Sequence, residues 1–293
     1  MNIVARIKSA CMRESSFFMA LPAFIWQLIF LYVPLIFVIV ASFMKVDEKL
    51  SLGALTLEHY ASFTDPLYWV VIGRSLLLAM CAAIACGIMA YPVAYYIALR
   101  ATRWKNVLLF FLILPFWINL LVQVYAWFFV LEKNGLVNTV LLKLGIIAEP
   151  LRLLNTPFAI FIVMLYCYLP FMAMPIYSIL ERFNQRLIEA SLDLGATPWQ
   201  TFMRVTLPMS LPGLKTGFFL VFVPSFGEFV IPVLTGGGKK LFVGSMISLY
   251  YLDAGDTQLG AAFTMLSGVV LLIVSLFLNW LFKRIVRVSA GGQ

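Results

Sequence analysis

Apolar residues along this chain come in long runs, separated by shorter connections in which the basic residues gather. Crossing a hydrocarbon core takes roughly 20 consecutive apolar residues as a helix, because a helix satisfies its own backbone groups where no water can. Six runs meet that length, near residues 18–43, 69–99, 107–131, 156–180, 213–234 and 260–282. They predict an all-α membrane protein of six transmembrane helices, with residues 1–293 as one transmembrane domain. The first run follows Arg6, Lys8 and Arg13, as a signal peptide would. It is far longer than the roughly 7–15 apolar residues of a cleavable signal, so it is expected to remain as the first span.

Composition agrees that lipid is the solvent. Of the 293 residues, 63% are hydrophobic and 12% charged, with mean hydropathy +0.99. Soluble domains carry about 25% charged residues. The spans use most of the length and leave no room for a separate soluble enzyme domain. A net charge of +8 would suit nucleic acid in a soluble protein. In a membrane protein Lys and Arg set topology instead, and no nucleic-acid partner is expected. On one side lie Arg6, Lys8, Arg13, Arg100, Arg103, Lys105, Arg182, Arg186, Arg204, Lys215, Lys283, Arg284 and Arg287. Opposite them are Lys45, Lys49, Lys133, Lys143, Arg152, Lys239 and Lys240, spread over longer loops. The positive-inside rule then puts both termini in the cytoplasm, as an even number of spans requires.

Several chemistries are set aside on residue type. Cys81, Cys86 and Cys167 sit in apolar stretches and Cys11 in the basic tail, without the spacing of a metal site. The lone histidine, His59, cannot build a metal cluster, and no metal is expected. An intramembrane enzyme would need clustered catalytic groups, and no catalytic residue is assigned. Within the second run, Ser75, Ala79, Ala83 and Gly87 recur every four residues, a flat face for close helix packing. Pro34, Pro92, Pro115, Pro170, Pro175 and Pro224 lie inside runs and are expected to kink their helices. Many secondary transporters contain two related halves. No internal repeat is visible here, which points to half of a pore completed by another subunit.

The connection at roughly 181–212 is the longest on the basic side. Leu187 to Leu192 favours a short amphipathic helix, and Gly195 is a natural stop. Thr197-Pro198 restarts a helix, Thr as the cap and Pro in the first position. That second helix carries Trp199, Phe202, Met203 and Val205, apolar knobs that require a partner's groove or the membrane surface. The spacing Glu189-Ala190-Ser191, three residues, Gly195, nine residues, Val205, one residue, Leu207-Pro208 resembles the EAA signature of permease subunits in ATP-binding-cassette importers. Ser191 replaces the second Ala and Val205 the Ile.

The resemblance implies the six-helix type I importer permease fold and a coupling loop seated on a separate ATPase. It implies two nucleotide-binding subunits carrying ATP and Mg2+, a second, related permease chain and an extracytoplasmic substrate-binding protein, all at a bacterial inner membrane. No cofactor is expected on this chain itself. Gly236-Gly237-Gly238-Lys239-Lys240 lacks the earlier Gly and the final Ser or Thr of a phosphate-binding loop.

Leu114 to Trp117, Leu169 to Pro175 and Gly227 to Pro232 are similar to stretches of spermidine/putrescine importer permeases. With the loop, the similarity covers about residues 60 to 270. Related permeases for ferric iron, sulfate or thiamine share the loop, and import of such a solute is the alternative reading. Glu228 is the acidic residue deep inside a run, where a carboxylate lines a watery path or finds a partner on a neighbouring helix. It follows Pro224 and Gly227, where the helix is expected to break. Asn119 and Gln123, four residues apart, face the path or join helices by hydrogen bonds, with Trp117 and Tyr125 nearby. Several polyamine permeases carry an acid where this chain has Val233. A channel or secondary transporter is the alternative class, and it would leave the docking loop without a partner.

Overall fold

The computed structural model describes residues 21–46, 52–238 and 240–290. Arg6, Lys8, Cys11, Arg13, Lys49 and Lys239 lie outside the described residues, as does the start of the first predicted span.

One compact unit comprises Met1–Thr64 and Tyr250–Leu266. Its first described helix, α1 (Leu21–Ser42), is long and apolar enough to cross a membrane. Trp26, Phe30 and Phe37 are more than half exposed on it, a surface that only lipid or another chain can cover. A hairpin follows, β1 (Met44–Val46) against β2 (Leu52–Leu55), antiparallel with Met44 opposite Leu55. Lys45 donates to Glu58 at 2.8 Å and holds that exposed carboxyl below the usual carboxylate range.

The second unit comprises Asp65–Leu249 and Ser267–Gln293. Three helices make its core: α2 (Pro66–Arg100), α6 (Pro157–Glu181) and α8 (Pro198–Phe226). All three begin with the same signal. Asp65, Thr156 and Thr197 each accept a backbone N–H of the first turn, and each precedes a proline whose missing N–H is no loss there. Small residues bring the helices together. Ala79 and Ala83 are fully buried and Ser75 nearly so, and Gly87 faces Leu214 and Met172. A second small pair, Gly213 and Gly217, was not singled out from the sequence. A Cβ on Gly217 would stand 2.9 Å from the Met172 carbonyl oxygen, so the backbones of α8 and α6 touch directly.

Three predicted boundaries require correction. The run 107–131 is two helices, α3 (Lys105–Trp117) and α4 (Leu120–Leu131), separated by extended backbone at Ile118 and Asn119. Ring pairs Phe116–Phe171 and Trp127–Tyr166 and the Lys105–Glu181 ion pair at 3.0 Å lay α3 and α4 in succession along α6, antiparallel to it. Together they therefore make one interrupted crossing. Apolar residues continue through α5 (Leu136–Lys143), but Glu132–Gly135 separates that helix from α4.

The fifth run also differs. Its helix starts at Pro198 rather than near 213 and ends at Phe226, and a short helix, α9 (Val230–Gly236), follows the break. The stretch 181–212 has the helix, turn and helix expected of it, but the second helix runs on into the span. It contains one separate helix, α7 (Arg186–Asp193), and then the first turns of α8. A wide turn at Phe202–Thr206 accommodates Pro208, which has no N–H to continue the ladder. After α9 come α10 (Val243–Ser248) and the final helix α11 (Thr257–Ala290). Six apolar helical stretches in the described residues are long enough to cross a membrane, the one at Leu120–Lys143 only when α4 and α5 are taken together across the Glu132–Gly135 turn.

Candidate functional site

The break between α3 and α4 leaves the last carbonyls of α3 without helical donors. Gln123, 7% exposed, turns back to fill them: its amide N–H group donates to the carbonyls of Pro115 and Ile118. Its carbonyl oxygen lies 3.6 Å from the Cys167 thiol of α6, which donates to it. Asn119 caps the new helix by accepting the Leu121 N–H at 2.8 Å. The polar pair thus holds an interruption together; it is not a stripe on one continuous helix.

The break after α8 is the opposite case, a helix start. Glu228 accepts the Val230 and Ile231 N–H groups at 2.9 and 3.4 Å on one oxygen. Its other oxygen accepts the Tyr168 hydroxyl at 2.8 Å, across from α6. The carboxylate is half-buried and satisfied by a neighbouring helix, one of the two situations its position allows. Gly227 lies against Gly244 so closely that a Cβ on Gly244 would collide with the Gly227 carbonyl oxygen. Ser75, the polar member of the small stripe, accepts the Val243 N–H at 2.8 Å and caps α10.

Beside the first break lies a cavity of about 440 Å³. Asn119 and Gln123 line it, with Phe116, Phe171 and Tyr168, so Tyr168 stands between the cavity and Glu228. Trp117 and Tyr125 do not join them; they are 74% and 49% exposed on the outer surface. Phe116, Tyr168 and Phe171 were not among the residues expected from sequence. Phe116 and Phe171 lay within the polyamine-like stretches, but only the contact between α3 and α6 reveals that their rings meet.

The other candidate region is the turn from α7 into α8. Gly195 sits at φ +83°, which only glycine adopts without strain. Its N–H donates to the Leu192 carbonyl and that of Ala196 to the Ser191 carbonyl, closing α7 in a Schellman turn. Thr197 and Gln200 then form a reciprocal capping box. Ser191 and Thr201 hydroxyls pair at 3.0 Å across the two helices.

Glu189 and Ala190 are exposed, as are Leu194 at 88% and Trp199 at 65%. Phe202, expected among the outward knobs, instead packs edge-on against Tyr91 and Tyr95 of α2. Val205, Leu207 and Pro208 are half-buried in the first turns of α8. The outward surface of the turn is therefore α7 with Leu194, Trp199 and Met203, while the last third of the signature anchors it to the core.

Residues 90–287 match the family described as binding-protein-dependent transport system inner membrane component. The chain is 37% identical over 263 residues to the spermidine/putrescine transport system permease protein PotB of Escherichia coli (strain K12), covering 89% of this chain and 95% of that protein. The Haemophilus influenzae protein of the same name is also 37% identical, over 82% of this chain and 84% of its own length. Among solved structures, a bacterial ABC transporter involved in the import of the acidic polysaccharide alginate superposes with TM-score 0.73 at 21% identity. That match covers 96% of this chain and 99% of the other, and at such identity it speaks for the fold alone. With six apolar helices and the permease fold over nearly its whole length, the chain belongs to the family of inner-membrane components of binding-protein-dependent transport systems, transport subunits rather than enzymes.

Proposed function

We infer that this chain is the permease subunit of an ATP-driven importer that carries polyamines such as putrescine and spermidine into the cytoplasm. The observation that carries this is the 37% identity to PotB, sustained over 89% of the chain. Both termini face the cytoplasm, in keeping with the excess of Lys and Arg on that side. The turn Glu189–Pro208 then projects into the cytoplasm as the coupling element, with α7 presented to one of two nucleotide-binding subunits. Those subunits hold ATP and Mg2+; this chain needs no cofactor of its own. A second, related permease completes the pore, and an extracytoplasmic binding protein delivers the substrate. The exposed apolar face of α1 is consistent with lipid or that second permease as its neighbour.

The test is uptake of labelled putrescine and spermidine into proteoliposomes containing the co-encoded subunits. ATP-dependent accumulation of either amine is the expected result. Accumulation of sulfate, ferric iron or thiamine with none of the amines would overturn the polyamine assignment and leave the importer. Uptake without any ATP dependence, by a chain that retains no ATPase on purification, would make it a channel or secondary transporter.

A further inference from the structure

The cavity beside the α3–α4 break contains chemistry that holding the helices together does not require. At about 440 Å³ it falls in the range of small-molecule sites, roughly 300–1,000 Å³. Three aromatic rings border it: Phe116 and Phe171 have centroids 4.5 Å apart, and Tyr168 and Phe171 5.9 Å apart. None of its lining residues is charged, although the chain carries 21 Lys and Arg. The carboxylate of Glu228 lies one hydrogen bond behind the Tyr168 phenol. The carboxyl end of α3 and the amino end of α4 meet at the same place, so their opposite dipole ends offset each other.

The rings, the lining without basic side chains and the carboxylate behind Tyr168 favour a cation. Aromatic faces attract ammonium groups, and they do so more strongly where water is scarce. Polar groups are few, and Gln123 is already committed to two carbonyls, so a polyhydroxy ligand would find little to bind. An anion would find no basic side chain in the lining and a carboxylate behind Tyr168. Methylene groups, in contrast, suit the rings. Asn119 is accessible, and its oxygen, with one bond to the Leu121 N–H, retains a second lone pair.

We propose that this cavity is a subsite on the transport path for one protonated amine and its adjoining methylenes. Phe116, Phe171 and Tyr168 receive the alkylammonium on their faces, and Asn119 accepts one of its N–H bonds. Glu228 supplies negative charge from behind Tyr168 without touching the ligand. Trp117 and Tyr125 take no part. The assignment rests on the polyamine reading above and specifies where on this chain the amine is held.

The test is binding of radiolabelled putrescine to the complex of both permeases with the ATPase in nanodiscs, the binding protein omitted. F116L and F171L keep apolar bulk but remove the ring, and each should weaken binding roughly 2- to 30-fold. F171Y, which restores an aromatic face, should recover most of that loss. N119D should tighten binding and N119K abolish it; this pair leaves the rings intact should the Leu variants fail to assemble. Parent-like binding in F171L and N119K, or no putrescine bound by a parent complex that transports it, overturns the subsite alone. A parent complex that takes up no polyamine even with its binding protein overturns the polyamine reading, and the subsite with it.

Discussion

The two interruptions within the apolar spans and the turn between α7 and α8 solve one problem in different surroundings. In each, helices stop and start, leaving N–H and C=O groups without helical partners. Outside the spans, the turn closes itself with residues at most five positions apart, through Gly195, Thr197 and Gln200. Inside them, the local caps Asn119 and Glu228 are joined by longer reaches: Gln123 goes back eight residues to Pro115, and Tyr168, 60 residues away, holds the Glu228 carboxyl that does the capping. Water can satisfy a frayed turn, whereas hydrocarbon cannot, so the internal breaks depend on particular side chains. The turn, self-sufficient in its backbone, leaves Glu189, Leu194 and Trp199 exposed, as the proposed coupling role requires. Substitutions at the turn should therefore affect coupling, and substitutions at the breaks should affect folding.

The largest effect is expected from Gly195→Asp. A Cβ there meets nothing within 4 Å, so the added side chain has room within this chain. Its cost to folding is the left-handed backbone, about 1–2 kcal/mol for most residues and less for Asp or Asn. The variant should insert normally and lose transport-coupled ATPase activity, because a bulky negative group now stands on the face proposed to dock on the ATPase. Gly195→Asn separates charge from size. Membrane fractionation and substrate-stimulated ATPase in proteoliposomes provide the two readouts. Normal coupling in Gly195→Asp would remove the turn from the coupling role, and loss of the protein from the membrane would remove the contrast with the breaks.

At the internal breaks, Glu228→Ala should destabilise more than Gln123→Ala. The first strands two backbone N–H groups and the Tyr168 hydroxyl; the second strands two carbonyls, one of which still accepts the Ile118 N–H at 3.2 Å. An unsatisfied buried group costs about 1–3 kcal/mol, and orphaned N–H groups are the rarer and less tolerated kind. Partial exposure of Glu228 reduces its share, so a gap of about 1–2 kcal/mol is expected. Glu228→Gln keeps an acceptor toward Val230 and should recover part of the loss. Thermal midpoints in detergent give the order, and a reversed order would show that lipid-depth hydrogen bonding does not govern these sites.

The same distinction decides what could be read from the sequence. Thr197-Pro198, Gly195 and the stripe from Ser75 to Gly87 act through neighbours a few residues away or through side-chain size, and all behave as the local pattern predicts. Pro224 and Gly227 also announced a break. The α3–α4 interruption was missed because the run from 107 to 131 is apolar on both sides of it, and Asn119 and Gln123 fit one helical face equally well. Asn119 beside Pro115 was the available signal, since Asn is a frequent helix cap. Gly213 and Gly217 carry the same four-residue small spacing in the sequence. Nothing local could show that Phe202 turns inward, because Tyr91 and Tyr95 are over a hundred residues away. The aromatic cavity is likewise a product of α3 meeting α6.

The smallest effect belongs to Thr197→Ala, and it sets the lower end of the contrast. The substitution removes one half of the capping box, the oxygen that accepts the Gln200 N–H at 3.3 Å. Loss of such a cap costs about 1 kcal/mol, within a range of 0.5–2. Because this turn is exposed, water replaces the lost acceptor, and the global thermal midpoint should scarcely move. The local signature should be visible: amide exchange at Gln200 should rise roughly 5-fold, as 1 kcal/mol of local opening implies. Thr197→Ser retains the hydroxyl and should exchange like the parent. If Thr197→Ala instead lowers the thermal midpoint as far as Glu228→Ala, the turn is not locally self-sufficient, and its backbone depends on the core as the internal breaks do.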